Sequence, residues 1–485
     1  MCVSCVTCLA GGYAGAVGIS SATSAGTRSF SRALALLVAG TYFMEILDGT
    51  IIATAAAGMA ADLHVRPVDI NLAMTAYLIT LAVGIPISGW LAERFGARKV
   101  FTAAIAVFTA ASLLCALSPN LAFLCAARML QGMGGAMMVP VGRLVVLRDA
   151  DRKEFLEAIA YLTWPALVAP VIAPALGGLL TTYASWHWIF LINVPLGIVA
   201  LVVALRVVPD IRARKVPPPD WIGFVLCGAS LAALVIGLEQ VGSAPTPWAG
   251  VVLWLLLALA GGTAALWWFR RSRHPLLDLR ALRIPTFRVG NGGGAVYRLV
   301  INAVPFVLPL MFMVGFGWTA FEAGLMTMAV FAGNVLIKPA TSPLIRRLGF
   351  RNVLLLSNAG GALVLGWCAL LGPGTPLAVI AAALFASGVL RSIGFSAYNT
   401  LQFADVPKAR MSGANTLSST IAQVATGLGV AVGALILRAA GALLAGAPPV
   451  ASFQWTFAVL AVLMLGPVVE ALLMHRSAGE VVRTR

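Results

Sequence analysis

Long apolar runs separated by short polar segments make up most of this chain of 485 residues. A helix that crosses the hydrocarbon core of a bilayer needs about 20 predominantly apolar residues. Fourteen runs fit this requirement, which predicts fourteen transmembrane helices and an all-α, polytopic membrane fold. The predicted spans are residues 33–58, 70–92, 100–117, 121–146, 155–182, 187–206, 221–241, 247–269, 289–315, 322–345, 352–372, 376–401, 412–438 and 452–474.

The basic residues lie mainly in alternate connections between these spans. Of 33 Lys and Arg residues, 26 fall in the N-terminal tail, in every second loop and in the C-terminal tail. Only Arg66 and Arg438 fall in the loops on the opposite side, and five more lie within spans. Because cytoplasmic loops carry the excess of Lys and Arg, this alternation predicts fourteen spans with both termini in the cytoplasm.

The composition excludes a soluble protein. It is 60% hydrophobic and 10% charged, with a mean hydropathy of +0.95, whereas soluble proteins contain about 25% charged residues. The net charge of +16 is therefore assigned to basic loops on one side of the membrane and not to nucleic-acid binding. Cys2, Cys5 and Cys8 have metal-ligand spacing but lack a fourth ligand, so no metal site is predicted.

A charged segment between the second and third spans occurs twice. Residues 89–99 read GWLAERFGARK, and residues 342–351, 253 positions later, read SPLIRRLGFR. The repeat predicts two six-helix halves. The predicted organisation is a cytoplasmic, disordered N-terminal tail (1–32), a first six-helix bundle (33–206), a linker with two inserted helices (207–288), a second six-helix bundle (289–474) and a cytoplasmic tail (475–485).

Five stretches resemble the 14-helix drug:proton antiporter branch of the major facilitator superfamily. Residues 89–99 resemble the superfamily's loop between helices 2 and 3, with Glu93 in place of the usual Asp. The resemblance covers residues 33–475 and implies a proton-coupled efflux transporter of the cell's inner membrane that works by alternating access. The other similar stretches are LDGTII at 47–52, RMLQGMGG at 128–135, APVIAPALGG at 169–178 and WHWIFLINVP at 186–195.

Proton coupling is assigned to Asp48, Glu45 and Arg128. An ionised carboxylate in a span costs at least about 2.5 kcal/mol, so it is expected to pair or to take up a proton. Glu45 lies three residues before Asp48 on the same helical face, so two acids share one turn. Arg128 cannot lose its proton and is the expected partner of a carboxylate. The resemblance implies a role for it in proton transfer, and a purely structural ion pair is the alternative.

Four residues are predicted to line a central substrate cavity. Three of them are cations, and with Arg128 they make four cations against two acids in the predicted core. Uncompensated buried charge is expensive. This favours an anionic or carboxylate-bearing small molecule. The alternative is that these cations pair with backbone carbonyl groups, or that Lys338 extends to the cytoplasmic surface. Arg143 is set aside because it lies near a predicted membrane boundary. The four residues are Gln131, Arg298, Lys338 and Arg391.

Two motifs have a mechanical interpretation. The repeated segment is predicted to act as a conformational latch that holds neighbouring helix ends and stabilises the outward-facing state. Pro174 removes a helix hydrogen bond, and Gly177 and Gly178 permit close helix contact, which predicts a hinge in the fifth span. The predicted latch residues are Gly89, Glu93, Arg94, Gly96 and Arg98.

Several functional alternatives stay open. Within the same class, the chain could be a dedicated exporter of an organic anion or carboxylate metabolite, or an importer. A polytopic membrane enzyme and an ATP-driven pump are disfavoured, because the chain has neither a histidine metal cluster nor a nucleotide-binding P-loop. No cofactor is expected, and the proton gradient is the expected energy source. The expected partners are the lipid bilayer and a small-molecule substrate, not nucleic acid; a periplasmic adaptor protein is left open.

The two copies of the charged segment differ in their acidic residue, because Arg346 stands where the first copy has Glu93. If the segment is a latch, only the first copy keeps an acid to hold a neighbouring cation. We therefore expect Glu93→Gln to slow transport in proteoliposomes more than Arg346→Gln does. Equal losses in the two variants would contradict this interpretation.

Overall fold

A computed structural model describes residues 31–151, 154–209, 216–242, 246–444 and 446–483, and these residues form helices and connections without any strand. The predicted disorder of the N-terminal tail concerns residues that lie almost entirely outside the described ones. The helices are α1 (Arg32–Asp62), α2 (Asn71–Gly84), α3 (Ser88–Phe95), α4 (Ala97–Ala116), α5 (Leu121–Asp149), α6 (Phe155–Tyr183), α7 (Trp188–Leu191), α8 (Asn193–Val207), α9 (Trp221–Gly242), α10 (Trp248–Arg271), α11 (Pro285–Leu310), α12 (Ala320–Leu336), α13 (Lys338–Cys368), α14 (Leu377–Ala404), α15 (Met411–Leu443), α16 (Pro449–Leu473) and α17 (Glu480–Arg483).

Twelve helices of the described chain are long and apolar enough to cross a membrane. A thirteenth is α6, if its two segments, which meet at an angle of 49°, form one span. Helix α12 has 17 residues, and the 31-residue α13 leaves the helical conformation at Gly349. The all-α architecture is as the sequence predicted, while the count of fourteen spans stays a prediction.

The helices form two groups. In the first, α1 packs along α6, and α5 packs on α2 and α4; in the second, α11 packs along α15, and α13 packs on α14 and α16. Helices α9 and α10 form a pair, and α9 lies against α2 and α15, one helix from each group. The pair that the sequence predicts as an insertion therefore covers one seam between the groups.

The turn in the charged segment occupies a single residue. The predicted spans leave residues 93–99 between them, whereas α3 continues to Phe95 and α4 begins at Ala97. The intervening Gly96 has φ 93°, and Gly349 in the second copy has φ 78°. Residues with a Cβ rarely adopt a positive φ, whereas glycine does so readily. One glycine is therefore sufficient to redirect the chain.

The repeat extends to side-chain contacts. Arg98 Nη2 donates a hydrogen bond to the carbonyl oxygen of Leu205 in the last turn of α8. Arg351 Nη2 donates to the carbonyl oxygen of Leu472 in the last turn of α16, at 3.0 Å. A guanidinium at a helix C-terminus satisfies carbonyl groups that have no intrahelical donor and lies at the negative end of the helix dipole. Both copies thus fasten one helix end in the same manner.

The bend in α6 separates the segments Phe155–Pro170 and Ala175–Tyr183. Proline in a helix removes a hydrogen bond and causes such kinks; the side chain of Pro174 lies outside the described part. A Cβ at Gly177 would overlap Thr54 Oγ1 of α1, whereas a Cβ at Gly178 would meet nothing within 4 Å. Of these two glycines, Gly177 is therefore the one at which α6 lies in close contact with α1.

These two glycines provide a matched pair. We expect Gly177→Ala to lower the free energy of unfolding by about 1–3 kcal/mol, because the new methyl group has no space against α1. Gly178→Ala should be neutral or slightly stabilising, since alanine favours the helix and its Cβ meets open space. Thermal unfolding of the two purified variants measures the difference, and equal midpoints would contradict the close contact at Gly177.

Candidate functional site

Asp48 lies at the centre of a buried hydrogen-bond network in the first bundle. Arg128 Nη1 forms an ion pair with Asp48 Oδ2. Gln131 Nε2 and Asn193 Nδ2 each donate to Asp48 Oδ1 at 2.9 Å. These four side chains are at most 1% exposed. One carboxylate therefore connects α1, α5 and α8.

Further contacts complete this network. Gln131 Oε1 accepts from Arg128 Nη1 at 2.7 Å, and Gln131 Nε2 donates to Ser112 Oγ of α4 at 2.8 Å. The Arg128 guanidinium lies 4.2 Å from the centre of the Tyr77 ring, in a cation–π contact. Two opposite charges can remain inside a bundle when other donors satisfy the carboxylate, and Gln131 and Asn193 do so here.

Glu45 lies one turn before Asp48 and outside the network. Its Oε2 is buried and has no hydrogen-bond partner within the described chain. The hydroxyl group of Tyr77 is also without one. The two neighbouring acids thus have opposite surroundings, one fully satisfied and one not.

The two bundles touch at the end that carries the charged segments. A Cβ at Gly89 would overlap Thr416 Oγ1 and lie 3.2 Å from Ser412 Oγ, both in α15. Asn415 Nδ2 of the same helix donates to the carbonyl oxygen of Pro140 at 2.8 Å. The absence of a side chain at Gly89 is therefore what allows α3 to lie against α15.

The other predicted latch residues contact their own bundle or solvent. Glu93 forms an ion pair of 3.3 Å with Arg148 in the last turn of α5. Gly96 forms the turn, Arg98 binds the end of α8, and Arg94 is exposed. Within the predicted latch, Gly89 provides the contact between the bundles, and Glu93 and Arg98 hold the segment in place.

Lys338 bridges the bundles at their interface. Its Nζ donates to Thr163 Oγ1 of α6 at 3.0 Å and to Ser396 Oγ of α14 at 2.7 Å. The side chain is buried, so the alternative that it extends to the membrane surface is wrong. Both of these partners are neutral hydroxyl groups, and the ammonium forms no ion pair in the described part of the chain.

Two arginines accompany Lys338 at this interface. Arg143 Nη2 donates to Ser419 Oγ at 3.2 Å, and Arg298 Nη2 donates to Asn399 Oδ1 at 3.1 Å. Arg143 Nε and Arg298 Nη1 are buried and have no partner among the described residues. Arg143, which the sequence analysis sets aside, is therefore a buried interface residue: α5 continues beyond it to Asp149, and its guanidinium contacts α15.

We refer to Arg143, Arg298 and Lys338 as the interface cations; a small cavity of 20 Å³ lies beside them. Arg143 lines this cavity directly, together with Asn399, the partner of Arg298, and Thr163, the partner of Lys338. Three positive charges thus converge on amide and hydroxyl groups, with no carboxylate within ion-pairing distance in the described residues. Buried charge of one sign is costly, so an anion is the ligand that would compensate it.

Gln131 and Arg391 lie away from the interface cations. Gln131 belongs to the Asp48 network. Arg391 lines a cavity of 30 Å³ inside the second bundle, where its carbonyl oxygen accepts a hydrogen bond from Tyr297 Oη at 2.7 Å. The structure therefore distributes the four residues of the predicted central cavity over three different surroundings.

A larger cavity of 1390 Å³ opens between α1, α6, α8 and α13. Its walls are mainly apolar, and Lys338 is one of its lining residues. Cavities of several hundred Å³ or more are typical of small-molecule sites. Among the residues described, no group of His, Cys, Asp and Glu could hold a metal ion.

Four polar residues of these sites were not singled out from the sequence. Ser112 and Asn193 belong to the Asp48 network, and Thr163 and Asn399 accept hydrogen bonds from the interface cations. The available signal was their position, since polar residues within apolar spans usually face the bundle interior. Hydropathy alone did not distinguish them from other Ser, Thr and Asn residues.

Comparison with known proteins identifies related sequences and related structures. The family model of the Major Facilitator Superfamily matches residues 38–269 and 292–483. Multidrug resistance protein MdtD of Cronobacter sakazakii is 40% identical over 415 residues, which are 84% of this chain and 86% of the relative. The MdtD protein of Salmonella paratyphi A is 37% identical over 452 residues, 89% and 93% of the two chains. The crystal structure of the human organic anion transporter MFSD10 (TETRAN) has a TM-score of 0.63 and covers 91% of this chain and 99% of that one; its 13% identity shows the fold alone.

The Asp48–Arg128 ion pair predicts a large and non-additive effect on stability. Asp48→Asn or Arg128→Gln alone should each cost about 3–5 kcal/mol, because each leaves one buried charge unpaired. The double variant should lose less than the sum of the two, which thermal unfolding can measure. Arg66→Gln, which breaks an exposed ion pair with Asp69, is the control and should leave the midpoint unchanged. Additive losses at Asp48 and Arg128 would contradict a direct pair.

Proposed function

This chain belongs to the Major Facilitator Superfamily, and from that premise we propose that it exports small molecules in exchange for protons. It is a transporter and not an enzyme, and a multi-pass protein of the cell's inner membrane. Its relatives are named for multidrug resistance, which supports efflux of several chemically different compounds. The proposal rests on Glu45, whose Oε2 has no hydrogen-bond partner among the described residues, beside the satisfied Asp48–Arg128 pair.

The two acids of α1 have complementary roles in this proposal. Asp48 cannot bind a proton without weakening its bonds to Arg128, Gln131 and Asn193, so protonation there would loosen the contacts among α1, α5 and α8. Glu45 has no such bonds at Oε2, so it can bind and release a proton with less rearrangement. In this proposal, Glu45 binds and releases the transported proton. The Asp48–Arg128 pair converts this step into movement of the helices.

Alternating access requires contacts that exist in one state and break in the other. The contact of Gly89 with Ser412 and Thr416 is suited to this role, because it joins the bundles through small groups without an interlocking side chain. The bend in α6 and its close packing on α1 at Gly177 link the proposed hinge to the helix of the two acids. In this scheme, proton binding on α1 and opening at the Gly89 contact belong to one cycle.

We further propose fourteen spans. One span would comprise α12 and the first part of α13 up to Gly349, and the rest of α13 would form the next. Together with the bent α6, this division raises the count from twelve to fourteen. The support comes from Gly349, whose backbone matches that of Gly96 between two other spans. Both termini would then lie in the cytoplasm.

A second candidate function is the dedicated export of an organic anion. The specific observation that favours it is the group of interface cations, which face hydroxyl and amide groups and have no carboxylate partner in the described chain. Counterflow into proteoliposomes with cationic dyes and with carboxylates separates the two. Transport of cationic dyes alone would exclude the anion exporter.

Proton coupling can be assigned by substrate-induced proton release from purified protein. We expect release in the wild type, its loss in Glu45→Gln, and a strong reduction in Asp48→Asn, because one variant removes the exchanging group and the other its coupled ion pair. Glu239→Gln is the control, since Glu239 is a half-buried acid of the inserted α9 that bonds Thr75. Release that persists in Glu45→Gln, or that also disappears in the control, would contradict this assignment.

A further inference from the structure

The cavity of 1390 Å³ has apolar walls that no other part of the described chain covers. Leu36 of α1, Trp164 of α6 and Val199 of α8 line it and are 57%, 50% and 63% exposed. Large apolar side chains with this exposure contact either lipid chains or an apolar ligand when the protein is in a bilayer. The cavity therefore accepts an apolar molecule, or an apolar part of one.

The charged side chains that line the same cavity are mostly positive. Lys338, Arg346 and Arg347 of α13 are among its lining residues, and Glu157 is the one acid in that lining. Glu157 already pairs with Arg32 at 3.5 Å. Lys338 is buried, and its two hydrogen-bond acceptors are neutral. A ligand with a negative group would compensate this ammonium, whereas a cation would be repelled by it.

Lys338 also connects the apolar cavity with Arg143, another of the interface cations. Its Nζ binds Thr163 Oγ1, and Thr163 lines the small cavity that Arg143 and Asn399 share. When an acidic group binds Lys338 from the apolar side, only the hydroxyl group of Thr163 lies between Lys338 and the small cavity that Arg143 lines. The hydrogen bond between Lys338 and Thr163 thus links the linings of the apolar and polar cavities.

The position of the inserted helices leaves the large cavity uncovered. Helix α9 packs against α2 and α15 and so covers the seam between those helices. The large cavity lies instead between α1, α6 and α8 of the first bundle and α13 of the second, and no residue of α9 or α10 lines it. One seam between the bundles is closed by protein, and the other contains a cavity.

We propose that the substrate is an amphiphilic anion, with an apolar body and one acidic group, which enters from the bilayer through this cavity. The apolar body lies against α1, α6 and α8, and the acidic group binds Lys338 before it meets Arg143 and Arg298. This inference rests on the proposed transport function and specifies its substrate class and route. The acidic group supplies the charge that the interface cations lack, and the apolar walls select against small hydrophilic acids.

A binding measurement on the full chain in phosphatidylcholine nanodiscs tests the proposal with dodecanoate as the probe. Gly40 lines the cavity, and a Cβ there would meet nothing within 4 Å, so Gly40→Leu fills the cavity without a backbone clash. Gly58 lies on the same helix outside the cavity and also has open space, so Gly58→Leu is the matched control. We expect Gly40→Leu to weaken dodecanoate binding about tenfold or more and Gly58→Leu to leave it unchanged.

A second variant tests the charge. Lys338→Gln should weaken dodecanoate binding by about tenfold or more and leave dodecyltrimethylammonium, which has the same chain, unaffected or bound more tightly. Citrate, an acid without an apolar body, should bind the wild type more weakly than dodecanoate. Dodecanoate binding that is insensitive to both Gly40→Leu and Lys338→Gln would overturn the proposal. Competition by phosphatidylglycerol added to the nanodiscs would show that the cavity holds a membrane lipid, and it would overturn the assignment of this cavity to a transported substrate.

The binding test needs no proton gradient, so it separates this inference from the proposed function. If dodecanoate binds as expected but no substrate induces proton release from the protein, the cavity assignment stands and the antiport proposal fails. If cationic dyes release protons while Gly40→Leu leaves dodecanoate binding unchanged, antiport stands and the amphiphilic-anion site is refuted.

Discussion

The buried ion pair between Asp48 and Arg128 is the interaction on which the first bundle depends. No water is available inside a bilayer to solvate either charge, so each requires the other together with neutral donors such as Gln131 and Asn193. These contacts tie α1 to α5 and α8, and Ser112 adds α4. A proton on Asp48 would alter all of these contacts at once, which makes the same pair suitable both for stability and for coupling.

The distribution of buried charge is asymmetric, and the asymmetry separates structural from functional polar groups. In the first bundle, the carboxylate of Asp48 is satisfied by three donors, while Glu45 one turn away is not. At the interface, the cations face only neutral acceptors in the described chain. Polar groups whose hydrogen bonds and charges are satisfied hold helices in place. Those that lack a hydrogen-bond partner or a counter-charge are the ones that can bind a proton or a substrate.

The inserted helices give the molecule two unlike seams. A transporter built from two similar bundles would present similar seams on both sides, but α9 occupies the one between α2 and α15. The remaining seam contains the large apolar cavity with Lys338 at its wall. The insertion thus has a geometric consequence for substrate access, whatever other role it has.

The sequence by itself determined the all-α membrane fold, the family and the transporter class, because hydropathy, basic loops and glycine-containing motifs depend on short-range constraints; the family comparisons confirm these predictions. It also indicated that Arg128 needs an anion within the bundle. Only the tertiary structure decided which buried polar groups meet. It packs Arg143 against α15, buries Lys338 at the interface, and places Arg391 in a cavity inside the second bundle, away from the interface. Hydropathy shows that a residue lies within a span, but which face it occupies, and which helix lies opposite, depends on how the helices pack.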